Sequence, residues 1–222
     1  MPRAAPSEVV SPDTRTRLLD AAEHLFAENG IARTTLRQIT ASAGANLAAV
    51  NYHFGSKRVL LHEVFARRIQ PVNEDRLARL DRVERDAGDE PPPVEDILRA
   101  FLTPAFLMKS SGTRHDFLRL MGRAHTEPTG ELREVVFAQF GEVVLCFSHA
   151  IARALPKLPP SIIQWRLQFA IGAMAFTLAN RDAPGPSGPS RHSDAETDEE
   201  VLSTLVEFLA AGFRAPAGSA EA

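Results

Sequence analysis

One cysteine, one tryptophan and one tyrosine are all that this chain of 222 residues carries of those three types. A single cysteine, Cys146, excludes an intrachain disulfide and suits a reducing compartment. Long hydrophobic runs are also missing. The longest uncharged apolar stretch, 167–180, is too short and too glutamine-flanked to span a bilayer. The first residues lack the apolar core of a signal peptide, so a cytoplasmic location is expected. There is no internal repeat and no strand-like alternation of useful length. The histidines show no metal spacing such as His-Glu-x-x-His. A Gly-rich phosphate loop, a Gly-x-Ser-x-Gly elbow and paired catalytic carboxylates are all absent. No catalytic residue, metal or cofactor is therefore expected, and an enzyme is the least supported function class.

What is present is an ordinary globular balance, 44% apolar and 24% charged, with charge unevenly placed. Residues 1–70 hold nine Lys/Arg and six Asp/Glu, a balance of +3. The remainder holds sixteen and twenty-two, a balance of −6. A net charge of −3 argues against a general nucleic-acid coat, but the basic part is a candidate for a local DNA-binding region.

That basic part contains the stretch the chain is organised around, 34–57. Thr35 followed by Gln38 forms a capping box. The helix behind it puts Leu36, Ile39 and Ala43 on one face. Gly44 supplies a chain reversal that a residue with a Cβ resists. Asn46 caps a second short helix running to Phe54, Gly55 ends it, and Ser56 caps a third. Two short helices joined by a tight glycine turn form a helix-turn-helix, whose second helix can enter the DNA major groove. At 100° per residue, Val50 and Phe54 face the core. Ala48, Ala49 and Tyr52 point away, with Asn51 and His53 on the flanks, and the wheel leaves Leu47 ambiguous. An outward face of two alanines and a tyrosine suits close approach to another molecule. The competing reading is a satellite helical hairpin with no ligand.

Residues 14–61 resemble the DNA-binding domain of the TetR family of transcriptional repressors. The matching pieces are 17–30 (RLLDAAEHLFAENG), 34–40 (TTLRQIT), 43–46 (AGAN) and 52–57 (YHFGSK), in the family's order and spacing. There is one departure: many members carry an aromatic residue where this chain has Asn51. The resemblance implies phosphate contacts from Thr34 or Thr35 at the start of the second helix, from Tyr52 and His53, and from Lys57. It implies that Arg37 reaches phosphate or a base edge, and that Leu47, Ala48, Ala49 and Asn51 face bases, with Asn46 among the DNA-binding residues. The alanines offer methyl contacts to thymine, and Asn51 a pairing with adenine. His53 as a surface histidine and Lys57 as a merely solvated charge are the competing readings.

The rest reads as helix. Residues 1–12 form a disordered tail and 13–70 the DNA-binding domain. Its first helix starts at Asp13 or Thr14, carries Leu18, Ala22, Leu25 and Phe26 on its apolar face, and ends at Gly30. A fourth helix from Ser56 carries Val59, Leu60, Val64, Phe65 and Ile69, and Pro71 is expected to kink or interrupt it. Residues 86–93 read as a linker. Helices follow at 93–110, with a kink at Pro104, at 114–125, at 131–154, at 161–180 and at 198–214. The stretch 183–197 reads as a mobile loop and 215–222 as a tail. Glu142, His149 and Arg153 form one polar stripe on the 131–154 helix, which is otherwise expected to be buried on most sides.

The body 71–214 is thus all-helical, and its apolar surplus has three possible uses: core, dimer interface or ligand cavity. The resemblance implies the last two, namely dimerisation through the last two helices and a small effector inside each subunit. Candidate interface residues are Ile162, Trp165, Phe169, Leu202, Leu205 and Leu209. Candidate pocket residues are Phe101, Phe106, Phe117, Met121, His125, Phe140 and Val144. Cys146 reads as a core thiol, and His125 as a core histidine or a polar anchor. The run 46–57 resembles the family branch that includes fatty-acid-responsive regulators, which implies a fatty acid or acyl compound as effector. The function expected is a homodimeric repressor that binds an approximately inverted-repeat DNA operator and is released by a small apolar effector, without a membrane partner. The alternative is a helical small-molecule-binding or interaction module that does not read DNA.

Overall fold

In the computed structural model, residues 13–108, 117, 120, 134–135, 138–180 and 197–217 are described. Eight helices can be delimited among them, and no strand. They divide into two units, the first through Val64 and the second from Phe65 onward. The division falls inside a helix, short of residue 70.

The first unit is built from short helices whose ends are closed by side chains. α1 (Thr14–Asn29) begins at Asp13, whose carboxylate accepts from the Thr16 amide at 2.6 Å. It ends at Gly30, which takes a positive φ. α2 (Leu36–Ser42) has the expected capping box. The Thr35 hydroxyl accepts from the Gln38 amide at 3.3 Å, and the Gln38 side-chain oxygen accepts from the Thr35 amide at 2.7 Å. Gly44, at φ 59°, turns the chain. α3 (Leu47–His53) starts on Asn46, whose side-chain oxygen accepts from the Ala49 amide at 2.9 Å. Caps of this kind stabilise a helix by about 1 kcal/mol each, which matters for helices of only seven residues. Leu18, Ala22, Phe26, Ile39, Val50, Phe54, Leu60 and Leu61 pack into the unit's core.

α4 (Lys57–Ala87) runs through Pro71 without a break. Of the expected kink or interruption, the interruption is thereby corrected. Pro71 lies on the exposed side, where the carbonyl that its missing N–H leaves without a donor can turn to water. Val59, expected on the apolar face, is exposed. The helix also uses up the start of the expected linker before Gly88, at φ 58°, ends it.

The second unit continues with α5 (Val94–Phe106), α6 (Gly141–Ala154), α7 (Pro160–Asn180) and α8 (Asp198–Arg214). α5 contains Pro104 and stops at Phe106, before the expected end at residue 110. The helix expected at 131–154 is not continuous. Gln139 and Phe140 form a turn, and α6 starts at Gly141. The Asn73 amide, on α4, donates to the Gln139 carbonyl at 2.7 Å, and a glycine next in line favours the break. One apolar cluster joins Phe101, Leu102 and Phe106 of α5, Phe147 and Ile151 of α6, Ile163 and Leu167 of α7, and Leu202, Leu209 and Phe213 of α8. Exposed ion pairs tie its rim. Arg99 meets Glu199 at 2.7 Å, and Arg214 grips both oxygens of Glu95.

The expected helix at 114–125, the loop at 183–197 up to residue 196, and the tails 1–12 and 215–222 save for residues 215–217 lie outside the described residues. The exceptions are Phe117 and Leu120, both buried.

Candidate nucleic-acid interface

α2, the Gly44 turn and α3 form the helix-turn-helix, with Val50 and Phe54 holding α3 against the core. What remains of α3 points outward. Tyr52 is 86% exposed, Ala48 and Asn51 are exposed, and Ala49 and His53 are half-buried. Leu47, ambiguous on the wheel, is 43% exposed and joins the outward face. The His53 ring packs edge-on to Tyr52, with centroids 5.0 Å apart. That contact limits the freedom of an otherwise projecting phenol. Arg37 is exposed on α2. Arg15 lies over the Phe54 ring and pairs with Glu63 at 2.6 Å, so α1, α3 and α4 meet at one cation. Nothing in the local pattern around Arg15 announces that role, because its partner lies on another helix.

Two implied phosphate ligands are placed otherwise. Thr34 is 1% exposed, and its hydroxyl donates to the Gly30 carbonyl at 2.8 Å and the Leu25 carbonyl at 3.1 Å. It closes the end of α1 and offers nothing to a ligand, so Thr34 is removed from the interface and Thr35 remains. The Lys57 ammonium donates to the Ile31 carbonyl and lies 5.9 Å from the Phe26 ring centroid. Lys57 thus ties the α1–α2 connection to the start of α4, where a solvated phosphate ligand was expected. Asn46 serves α3 as its cap.

In the second unit, Phe101, Phe106 and Phe117 are buried, and Phe140 and Val144 half-buried. Met121 and His125 lie outside the described residues. The expected dimer residues separate. Trp165 and Phe169 of α7 are 62% and 64% exposed and stacked on one another, with Ile162 half-buried beside them. An open groove of about 490 Å³ lies along this face, lined by Ile162, Trp165, Arg166, Phe169 and Ala217. Leu202 and Leu209 of α8, by contrast, are buried in their own chain's core, and Leu205 packs against it. Leu202 and Leu209 are corrected from interface to core, on a helix packed against α5, whereas Leu205 is only half-buried. The exposed large apolar residue of α8 is Phe208. Exposed Leu145 likewise departs from the expectation that its helix is buried on most sides, whereas Glu142, His149 and Arg153 lie exposed as a polar stripe. Cys146 is half-buried against the core.

A capped helix-turn-helix followed by further helices is an arrangement found among DNA-binding proteins, and comparison with known proteins narrows it. Residues 18–64 match the family described as bacterial regulatory proteins, tetR family, and residues 99–212 match the tetracyclin repressor-like C-terminal domain. The chain belongs to the TetR family. It is 40% identical over 63 residues to the HTH-type transcriptional regulator SrpR of Pseudomonas putida, covering 28% of this chain and 30% of that one. The first curated relatives are matched over only 30% to 47% of their length. Its fold is similar over 93% of the chain, and 99% of the other, to the fatty acid degradation regulator FadR from Bacillus halodurans, with a TM-score of 0.61 and 15% identity. It is also similar to FadR from Bacillus subtilis in complex with stearoyl-CoA, over 89% of this chain and 98% of that one, with a TM-score of 0.58 and 18% identity. Among the described residues no helix is long and apolar enough to cross a membrane.

Proposed function

We propose that this TetR-family protein is a cytoplasmic transcriptional repressor that binds operator DNA as a homodimer and leaves it when a small effector occupies the helical body. The observation that carries the reading is α3. It is capped at Asn46 and anchored by Val50 and Phe54, and it presents Leu47, Ala48, Asn51 and Tyr52 to solvent within a stretch matched by the family's DNA-binding domain. Small side chains let the helix approach base edges closely, Asn51 is chemically suited to adenine, and the Tyr52 hydroxyl to a phosphate oxygen. Arg37, Thr35, Ala49 and His53 complete the proposed surface. A two-fold dimer matches an inverted-repeat operator, since its recognition helices share the axis. The α7 face around Trp165 and Phe169, with Phe208 of α8, is the proposed meeting surface. An acyl compound is the proposed effector class, supported by the recognition-helix likeness and by a fold neighbour that holds stearoyl-CoA. An effector releases DNA only if it prefers a conformation that binds DNA less well.

The test is an affinity titration on operator variants at several salt concentrations. Affinity must fall linearly with salt on logarithmic axes. Asn51→Ala should change the ranking of operator variants, by about 1–3 kcal/mol at one base position, whereas Tyr52→Phe should weaken all duplexes alike. Salt-independent binding, or none, would leave the helical interaction module as the better reading.

A further inference from the structure

The second unit buries a cation. Arg76 of α4 is 2% exposed, at a place where α4, α5, α7 and the turn before α6 come together. Its Nε donates to the Phe101 carbonyl at 2.8 Å, one terminal nitrogen donates to the Asn73 side-chain oxygen at 3.1 Å, and the other reaches only the Met174 sulfur at 3.6 Å. The guanidinium lies 4.5 Å from the Phe101 ring centroid and 6.0 Å from that of Phe140. No carboxylate pairs with it among the described residues. A guanidinium has five N–H donors, and these three bonds leave two without an acceptor there. Burial lowers its pKa to about 10, so it stays charged at neutral pH.

A structural role explains part of this. Pro104, three residues after Phe101, disturbs the α5 ladder, and Arg76 satisfies a carbonyl beside the disturbance. That task needs one neutral donor. It does not need a charge, whose burial without a counter-ion is costly. The ring faces add an apolar wall with some attraction for the cation, but they take no N–H.

We infer that Arg76 is the anchor for the acidic head of the effector, so that the body takes an amphipathic organic anion, a free carboxylate or a phosphate monoester, rather than a neutral ester or alcohol. The inference rests on the proposed effector-binding reading and specifies its chemistry. A planar carboxylate or phosphate accepts two parallel bonds from the guanidinium fork and supplies the missing negative charge. Phe101 and Phe140 flank the guanidinium, and the core residues packed around Phe101 are apolar, which suits a head group carried on an apolar tail.

The experiment uses the full chain and four probes that share one alkyl tail: dodecanoate, dodecyl phosphate, methyl dodecanoate and dodecanol. Calorimetric titration and thermal unfolding are followed for the wild type, Arg76→Gln and Arg76→Lys. The wild type should bind at least one anion roughly tenfold or more tighter than both neutral probes, as expected for a charge-assisted pair. Which anion wins separates carboxylate from phosphate. Arg76→Gln keeps a donor for Phe101 but should lose the preference, and Arg76→Lys should recover part of it. Should Arg76→Gln not fold, as circular dichroism would show, the wild-type preference and the Arg76→Lys series decide. Neutral probes bound as tightly as the anions, a preference that survives Arg76→Gln, or binding of neither anion would each overturn the inference. Operator affinity is measured separately with each probe. Anion binding that leaves operator affinity unchanged would remove the effector-release reading and leave the site standing. Operator release by the neutral probes alone would do the reverse.

Discussion

α3 and α7 both present apolar side chains to water, and they do so in different ways. α3 shows small residues and one phenol, Ala48 and Tyr52 with Leu47 beside them, on a helix of seven residues held by a cap and two buried anchors. α7 shows a stacked Trp165–Phe169 pair and Phe176, on a helix of 21 residues that is apolar nearly all round. A thin face with polar flanks fits a groove edged by phosphates and read by short hydrogen bonds. A broad aromatic face gains most by meeting another apolar surface, where Trp and Tyr anchors dominate association. Exposure alone therefore does not identify a partner. The size of the exposed side chains, and the polar groups around them, separate a polyanion from a protein.

The strongest test of that contrast lies on α8, where inward and outward residues alternate. Leu202→Ala should cost about 2–5 kcal/mol of unfolding free energy, since it opens a cavity in the core. Phe208→Ala should stay within about 0.5 kcal/mol of the wild type under dilute, monomeric conditions and instead weaken self-association. Denaturant unfolding and sedimentation equilibrium measure the two effects. Equal destabilisation by both would mean that Phe208 is also core and that the outer face is narrower than drawn.

Next in size is the effect of charge on α7. Trp165→Glu with Phe169→Glu should leave the folded chain monomeric and reduce operator affinity on the order of 100-fold, because two half-sites are no longer engaged by one linked unit. Light scattering and fluorescence anisotropy follow it. A dimeric double variant would move the interface away from this face.

How far these features could be read from residues alone depended on range. Asp13, the Thr35–Gln38 box, Gly44 and the Asn46 cap bond within about one helical turn, so their pattern lies open in the sequence. The same box recurs as Thr197 and Glu200 at the start of α8 and is equally local. Where the structure departs from the local pattern, a distant partner decides. Helical periodicity gives a stripe of Leu202 and Leu209 but cannot say whether it meets α5 or a second copy. The break before α6 involves Asn73, 66 residues from Gln139. Arg76 is one arginine among many on a helix that otherwise looks solvated, and nothing local marks it as buried.

Lys57 sharpens the contrast from the DNA side. Its ammonium is engaged by the Ile31 carbonyl, so Lys57→Ala should lower stability by about 1 kcal/mol and leave the salt slope of DNA binding unchanged. A slope reduced by roughly one unit at undiminished stability would return Lys57 to the phosphate contacts.

The smallest effect should come from the cap that starts the chain's first helix. The Asp13 carboxylate accepts from the Thr16 backbone amide and, second, interacts with the Thr16 side chain; both hold its pKa below the ordinary aspartate value. A carboxyl whose folded pKa is depressed contributes stability that is fully present above its unfolded value and is lost as pH falls through the folded one. The direction is therefore fixed: acidification should weaken α1, and the loss should occur below the usual aspartate range. Glu95 in the second unit is depressed in the same direction by Arg214, so a wild-type melting curve alone mixes the two. Asp13→Asn separates them, because asparagine still caps but does not titrate. The difference in unfolding temperature between wild type and Asp13→Asn should be constant near neutrality and shrink as pH drops through the acidic range. A difference that grows on acidification would mean that the Asp13 charge is unfavourable in the folded state and that the cap works through geometry alone.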